Sequence, residues 1–503
     1  MPRRISRELK TLSVWALSLA ISGCIGTGGI APQGKSLAAN NLATDDAIQS
    51  AARDARWPTT QWWQAYGDPQ LNAWVDLAVQ DSPSMAEAAA RVREARAMAG
   101  LAESAEAVQI NGDATLKRHN WPSDQFYGPG KLDNSTTWDN NAALGLSYAL
   151  DLWGRERNAT ERAVDLAHMS VAQARQAQLE LQNNVVRAYI QLSLHYAQRD
   201  IVAATLAQQQ QILDLAQKRL DGGIGTHFEV SQAQTPLPET HRQLDALDEE
   251  IALTRNQLAA LAGKGPGEGA TLQRPTLALA APLKLPSALP AQLLGQRPDV
   301  VASRWQVAAQ ARGIDVAHAG FYPNVDLVGS LGYVATGGGM LEFLTGKKLN
   351  YSVGPAITLP IFDGGRLRAQ LGEASAGYDI AVARYNQTLV NALKGISDQL
   401  IRRESMAKQQ TFAAESVASA QKTYDIAMIA YQRGLTDYLN VLNAQTLLFR
   451  QQQVQQQVQA ARLSAHAELV TALGGGLGAG NDAPAAGTTL ASKTPAALAV
   501  FDH

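Results

Sequence analysis

The feature that most constrains this chain is a repetition at a fixed separation. Gly223 and Gly434 stand 211 residues apart, and after them Val230, Ala233, Gln234, Thr235 and Leu237 recur as Val441, Ala444, Gln445, Thr446 and Leu448. Upstream, LWGRER (152–157) and DGGRLR (363–368) hold Gly154, Arg155 and Arg157 at the same separation from Gly365, Arg366 and Arg368. Two landmarks sharing one offset imply an internal duplication. Between Gly154 and Gly223, and again between Gly365 and Gly434, the chain contains no proline and is rich in Ala, Gln, Leu and Arg, the residues that favour helix. A continuous helix over either interval would be about 100 Å long. Val185, Tyr189, Leu192 and Tyr196 step by 4, 3 and 4, a stripe of coiled-coil type. A polar helix of this length needs neighbours to lie against. After each glycine bend a second helix is expected to return, over about 228–261 and 438–473. Each copy is thus a helical hairpin whose tip uses Gly223 and Gly225, or Gly434, for the sharp reversal.

Strand-period segments precede each Gly-Arg landmark. Apolar residues alternate in 142–153 and in 351–362, and a further candidate lies before each, at 109–121 and 324–336. Each is about the length that a tilted membrane strand requires. Four strands cannot close a barrel, and open edges are not tolerated in lipid. Either the four form a small soluble sheet packed on helices, or several chains share one barrel.

The N-terminus supplies the choice. A basic start, MPRRISRELK, leads into the short apolar run TLSVWALSLAIS and then Ile21-Ser22-Gly23-Cys24. This is the form of a secretory signal, and its end resembles a bacterial lipobox with Cys24 as the acylated residue. Cys24 is the chain's only cysteine, so no intrachain disulfide can form. The expected organisation is a signal peptide (1–23), a lipidated linker (24–60), a first repeat (61–262) with strand pair 109–121 and 142–153 and hairpin 154–262, a Gly/Pro-rich crossing segment (263–298), a second repeat (299–473) with strand pair 324–336 and 351–362 and hairpin 365–473, and a disordered tail (474–503). Within this frame Pro298 ends the crossing segment and Asp299 is expected to cap the helix that follows.

Several function classes drop out. The 43 basic and 45 acidic side chains nearly balance, leaving no nucleic-acid footprint. HExxH, GxSxG and Walker A sequences are absent, and the eight histidines have no metal-ligand spacing. No catalytic residue, metal or cofactor is expected.

Taken in order, the lipobox, WWxxYGDPxL (Trp62 to Leu71), LLGQRPDV (293–300), AHAGFYPNVDL (317–327), FDGG (362–365) and the paired tips resemble the TolC-like outer membrane factor family, in particular its NodT-like lipoprotein branch. The resemblance covers about residues 60–475. It implies a mixed α and β protomer giving four transmembrane strands and long antiparallel helices to a homotrimer. The trimer forms a 12-stranded β-barrel continued by an α-helical barrel, in the outer membrane of a Gram-negative bacterium and extending into the periplasm. It also implies an exit duct for small molecules, served by a periplasmic adaptor and an inner-membrane resistance-nodulation-division pump. A duct for a type I protein secretion system, and a non-conducting coiled-coil scaffold lipoprotein, are the competing readings.

Site residues follow from the same resemblance. Cys24 is the lipid attachment point, in contact with outer-membrane lipid. Gly223, Ile224, Gly225, Thr226, Gly434, Leu435, Thr436 and Asp437 match the adaptor-contact tips. Family members commonly place pore-closing carboxylates just after the second tip, where this chain has Asn440 and Asn443. Glu229 is the counterpart on the first tip, and Tyr431 and Arg433, with Asp437, are polar candidates for the links that hold the gate closed. Rings of Asn do not titrate, so Asn440 and Asn443 should contribute little pH dependence to conductance. Gly154, Arg155, Gly365 and Arg366 mark the strand-to-helix junctions.

Overall fold

A computed structural model describes residues 26–38, 41–43, 48, 58–123, 132–279 and 297–476. The signal peptide, Cys24, much of the linker, residues 280–296 of the crossing segment and the tail beyond 476 lie outside the described residues. The chain divides into two units, described separately below.

The first unit comprises residues up to 36, 92–169 and 305–385, and its centre is one sheet. Strands β1 (Gln109–Trp121), β2 (Ser135–Ala149), β3 (Asn324–Thr336) and β4 (Leu349–Thr358) lie in that order, every neighbour antiparallel. Among the described residues β1 and β4 are therefore edge strands, each with one unpaired row of backbone groups.

β2 differs from the expected 142–153 at both ends. It starts at Ser135 because the polar stretch 135–141 pairs with the equally polar Thr115–Trp121, a ladder that apolar alternation does not reveal. It ends at Ala149 because Asp151 turns to cap the next helix, its two carboxylate oxygens accepting from the backbone N–H of Glu156 and Arg157 at 3.0 Å each. β4 likewise runs over Leu349–Thr358 rather than 351–362. Pro360 lies just beyond its end, and Asp363 accepts from the N–H of Gly365 and Leu367 at 3.0 and 2.8 Å. These donors hold the Asp363 carboxyl below its ordinary range.

Two long helices, α3 (Arg155–Asp221) and α7 (Arg366–Gln432), have 67 residues each, about 100 Å at 1.5 Å per residue. Their first residues are 211 apart, and so are their last. The helices preceding the strand pairs, α2 (Pro83–Ser104) and α6 (Pro298–Ala319), have 22 residues each and start 215 apart, as do β1 and β3. The duplication thus reaches further upstream than a constant offset reveals, because the hairpin between the strands differs in length by four residues. Asp299 lies in the first turn of α6 rather than at its cap. It is clasped by the Arg297 guanidinium at 2.6 and 3.1 Å, and Arg297 also donates to the Ala472 carbonyl.

The second unit comprises 37–91, 170–304 and from 386 onward. Helix α1 (Pro69–Asp81) is capped by Asp68, which accepts from the N–H of Gln70 at 2.9 Å. Its aromatic neighbours Trp62, Trp63 and Tyr66, with Trp74 from α1, pack with Val185, Tyr189 and Leu192 of α3 and with Leu258, Leu463 and Val470 into the main core. Three residues of the sequence stripe are buried there, and Tyr196 packs against them. Tyr66 donates to the Leu463 carbonyl at 2.8 Å, and the buried His466 ring stands edge-on to it. Burial, reinforced by Arg403 and Arg462, lowers the His466 pKa to about 4, so this ring stays neutral in the core.

The return helices are not alike. The second, α8 (Tyr438–Ala472), is continuous. The first is interrupted after α4 (His227–Gln234) and resumes as α5 (Pro236–Leu261). Pro236 has no N–H to continue the ladder, a break that the expected single helix over 228–261 had not allowed for.

Candidate functional site

The sheet has two chemically opposite faces. The register places Ile110, Leu144, Leu146, Leu327, Leu331, Tyr333, Tyr351, Val353 and Ile357 on one face, with Gly and Ala between them. Ile110, Tyr351, Val353 and Ile357 are each two-thirds or more exposed. The other face carries Asn111, Asp113, Thr115, Asn141, Ser147, Asp326, Ser330, Asn350, Ser352 and Thr358. Cross-strand hydrogen bonds on this face join Asn141 to Asp113 at 2.5 Å and Ser330 to Ser352 at 2.9 Å. A soluble sheet buries its apolar face. This one exposes it, and no charged side chain falls on that face among the pairs from Ile110–Leu146 to Leu116–Asn140. Such a sheet suits a wall with hydrocarbon on one side and water on the other. No described helix is long and apolar enough to cross a membrane.

In the second unit the two hairpin tips share one cluster: Ile212, Ala216, Val230 and Ala233 from the first hairpin pack with Tyr424, Tyr431, Tyr438, Val441 and Leu448 from the second. Each long helix ends in the same Schellman turn. Ile224 N–H bonds the Arg219 carbonyl at 3.0 Å and Leu435 N–H the Ala430 carbonyl at 2.9 Å, while Gly223 and Gly434 adopt φ of 74° and 72°. Gly225 is required for a different reason. A Cβ there would lie 2.7 Å from the Leu220 nitrogen.

The caps that start the return helices account for several of the candidate residues. Thr226 and Glu229 form a capping box: the Thr226 N–H donates to Glu229 Oε2 at 2.9 Å, and the Glu229 N–H donates to Thr226 Oγ1 at 3.2 Å. At the second tip Asp437 Oδ1 accepts from the Asn440 N–H at 3.2 Å, and the Asn440 amide donates to Thr436 Oγ1 at 2.7 Å. Glu229 and Asn440 therefore occupy the same cap position. Asn443 is exposed. Arg433 is exposed, and its guanidinium has no ion pair or hydrogen bond among the described residues.

Tyr431 is a completely buried ring. It lies 6.0 Å from the Tyr438 ring and 5.2 Å beneath the guanidinium of Arg219. Burial raises the pKa of Tyr431, and of Tyr438 to about 12, so both rings remain neutral. Arg219 and Tyr438 were not among the sequence candidates; their counterparts at the 211 offset are Ala430 and His227. Around the shared core, Ile224, Phe228 and Leu435 are about 70% exposed and Leu439 about half exposed. Phe228 and Leu439 stand at the same offset as Ile224 and Leu435, so each tip carries a matched apolar pair.

At the strand-to-helix junctions, Gly154 and Gly365 adopt φ of 70° and 92°, and Arg155 and Arg366 begin α3 and α7. Trp153 stacks on Tyr322 at 4.8 Å and donates to the Pro323 carbonyl at 2.8 Å.

Comparison with known proteins agrees with this construction. A family model described as outer membrane efflux protein matches residues 74–264 and 289–475. The chain is 54% identical over 366 residues to the fusaric acid resistance protein FusA of Burkholderia cepacia, covering 73% of this chain and 69% of that one. The multidrug resistance outer membrane protein MdtP of Escherichia coli K12 is 28% identical over 490 residues, 95% and 99% of the two chains. Among solved structures, the outer membrane protein VceC of Vibrio cholerae superposes with a TM-score of 0.78 at 33% identity, covering 84% of this chain and all of that one.

Proposed function

The chain belongs to the outer membrane efflux protein family, and from that premise we propose how its parts divide the work of an outer-membrane exit duct. Three copies close a 12-stranded barrel, each edge strand β1 pairing with β4 of a neighbour, so that the apolar faces meet lipid and the polar faces line the lumen. The helical hairpins continue the duct into the periplasm. Cys24 carries the lipid anchor, and the Gly154–Arg155 and Gly365–Arg366 junctions mark the change from strand to helix.

The two tips, at Gly223-Ile224-Gly225-Thr226 and Gly434-Leu435-Thr436-Asp437, receive a periplasmic adaptor. Asn440, Asn443, Glu229 and Arg433 lie where the closed end narrows, and the Arg219–Tyr431 contact ties the two hairpins of one protomer together. A proton-driven resistance-nodulation-division pump in the inner membrane supplies the energy. Small toxic organic molecules are the cargo, a class in keeping with the names of the fusaric acid and multidrug resistance relatives.

One observation carries this reading: a four-stranded sheet that exposes its apolar face and has two unpaired edges. The test is complementation of a strain lacking the gene. The wild-type chain should restore resistance to a toxic small molecule. Ile224→Glu with Leu435→Glu should assemble in the outer membrane and fail to restore it. Full resistance from that double variant would refute the role of the tips.

A further inference from the structure

The apolar face of the sheet changes character at one end. α3 follows the Ala149 end of β2 and α7 the Thr358 end of β4, so the rim formed by Trp121, Ser135, Thr336 and Leu349 lies away from the helices. One row below that rim, Asn140 pairs with Leu116 on one side and Ala335 on the other. It stands on the apolar face, yet among the described residues it is the only buried polar side chain of the sheet. Its amide donates to the Met340 carbonyl at 2.7 Å and accepts from the Lys117 N–H at 3.2 Å. The β3–β4 loop, 337–348, therefore folds back over the face that is bare lower down. The Gly337 N–H bonds the Trp138 carbonyl at 2.7 Å, and Phe343, in the short 3-10 helix Glu342–Leu344, is buried. Met340, Leu341 and Leu344 remain exposed.

The same rim carries unpaired positive charge. Arg118, opposite Trp138, is the first charged residue met on the apolar face going outward. It is exposed, and its guanidinium lies 5.9 Å over the Trp138 ring. It makes no hydrogen bond or ion pair among the described residues. Lys347 and Lys348 end the loop just before β4, and their ammonium groups are likewise without an ion pair among the described residues. The loop's only acid, Glu342, accepts from the Gly339 N–H at 2.9 Å, and the nearby Asp139 accepts from Thr336 on the polar face. An arginine at the edge of a hydrocarbon-facing surface calls for an anion at headgroup level.

We propose that this rim is a binding surface for the phosphorylated glycolipid of the outer leaflet, with its phosphates on Arg118, Lys347 and Lys348 and its acyl chains against Met340, Leu341 and Leu344. Charge complementarity selects the headgroup: guanidinium and ammonium groups bind phosphate through charge-assisted hydrogen bonds, and three cations suit a lipid with more than one phosphate. Continuity selects a lipid, because the loop's exposed apolar residues extend the lipid-facing side of the sheet. In the proposed barrel the outer end of β1 lies beside the outer end of a neighbour's β4, so the basic groups collect at each seam. The inference rests on that barrel, whose helix-free rim faces outward.

The test is native mass spectrometry of the full-length protein purified in detergent, titrated with bisphosphorylated lipid A, with the same lipid dephosphorylated, and with phosphatidylglycerol. Conductance of the same sample reports the barrel separately, and an insulating wild-type monomer would overturn the barrel reading and this proposal with it. In conducting trimers, lipid A should bind about tenfold more tightly than its dephosphorylated form or phosphatidylglycerol. Arg118→Gln with Lys347→Gln and Lys348→Gln should lower lipid A affinity about tenfold or more, and leave both the dephosphorylated lipid and the conductance unchanged. Lys347→Gln with Lys348→Gln, outside the sheet, should lower it about fivefold and serves if the triple variant fails to assemble. Equal binding of lipid A and its dephosphorylated form, phosphatidylglycerol bound as tightly as lipid A, or undiminished lipid A binding by a conducting variant would each overturn the proposal while leaving the barrel intact.

Discussion

The two hairpin tips are built to one geometry by different chemistry. Their Schellman turns and caps fall at identical offsets, yet the first cap is a Thr226–Glu229 box and the second an Asp437–Asn440 pair. The second tip also supplies the aromatic mass of their shared core, Tyr431 and Tyr438, where the first has Leu220 and His227. In return, the first hairpin reaches across with Arg219 over the Tyr431 ring. Duplication fixed the backbone path, while the contacts between the copies come from residues that the duplication does not repeat.

Truncating the aromatic keystone should break the comparison most strongly. Tyr431→Ala removes a completely buried ring and should cost about 3–5 kcal/mol, read as a large fall in the denaturation midpoint. Leu220→Ala, at the matched but half-buried position, should cost about half as much or less. Equal losses would show that the tips contribute symmetrically. Caps come next. Thr226→Ala and Asp437→Ala should each cost about 1 kcal/mol, and hydrogen exchange should quicken only in the first turn of the affected return helix. Quickening at both tips from either change would contradict the separate caps described here.

The smallest effect contrasts the long helices. α3 carries Asp165 where α7 has Ala376. Burial raises the Asp165 pKa to about 7, with Arg312 opposing and Glu161 adding to the shift. Because the folded chain holds this proton more tightly than the unfolded one, stability attributable to Asp165 falls as pH rises from about 4 to about 7. Asp165→Asn should therefore gain on the wild type between pH 5 and pH 8, by roughly 1 kcal/mol after allowance for the Arg312 charge. A constant difference across that range would remove Asp165 from the account.

Much of this was legible in sequence. The glycines of the tips, the uninterrupted 69-residue intervals and the alternation in 324–336 all express local physics. Other features were not legible, for identifiable reasons. The start of β2 is polar and pairs with a polar strand, so alternation gave no signal before Ala142. The break at Thr235 follows from Pro236, whose effect was outweighed by the matched Val230, Ala233, Gln234 and Thr235. Arg219 and Arg368 act across long sequence separations, on Tyr431 and on Gly26, and no spacing rule joins such partners. The copying of α2 as α6 was hidden by the four-residue change between the strands.

On the proposed reading, four strands from one chain are completed by identical copies into an aqueous passage. The most direct measurement combines the native mass of the purified protein with its conductance in a planar lipid bilayer. The expected result is a particle of three chains that dissociates on heating and carries ions stepwise across the bilayer. A single-chain particle that leaves the bilayer insulating would contradict it.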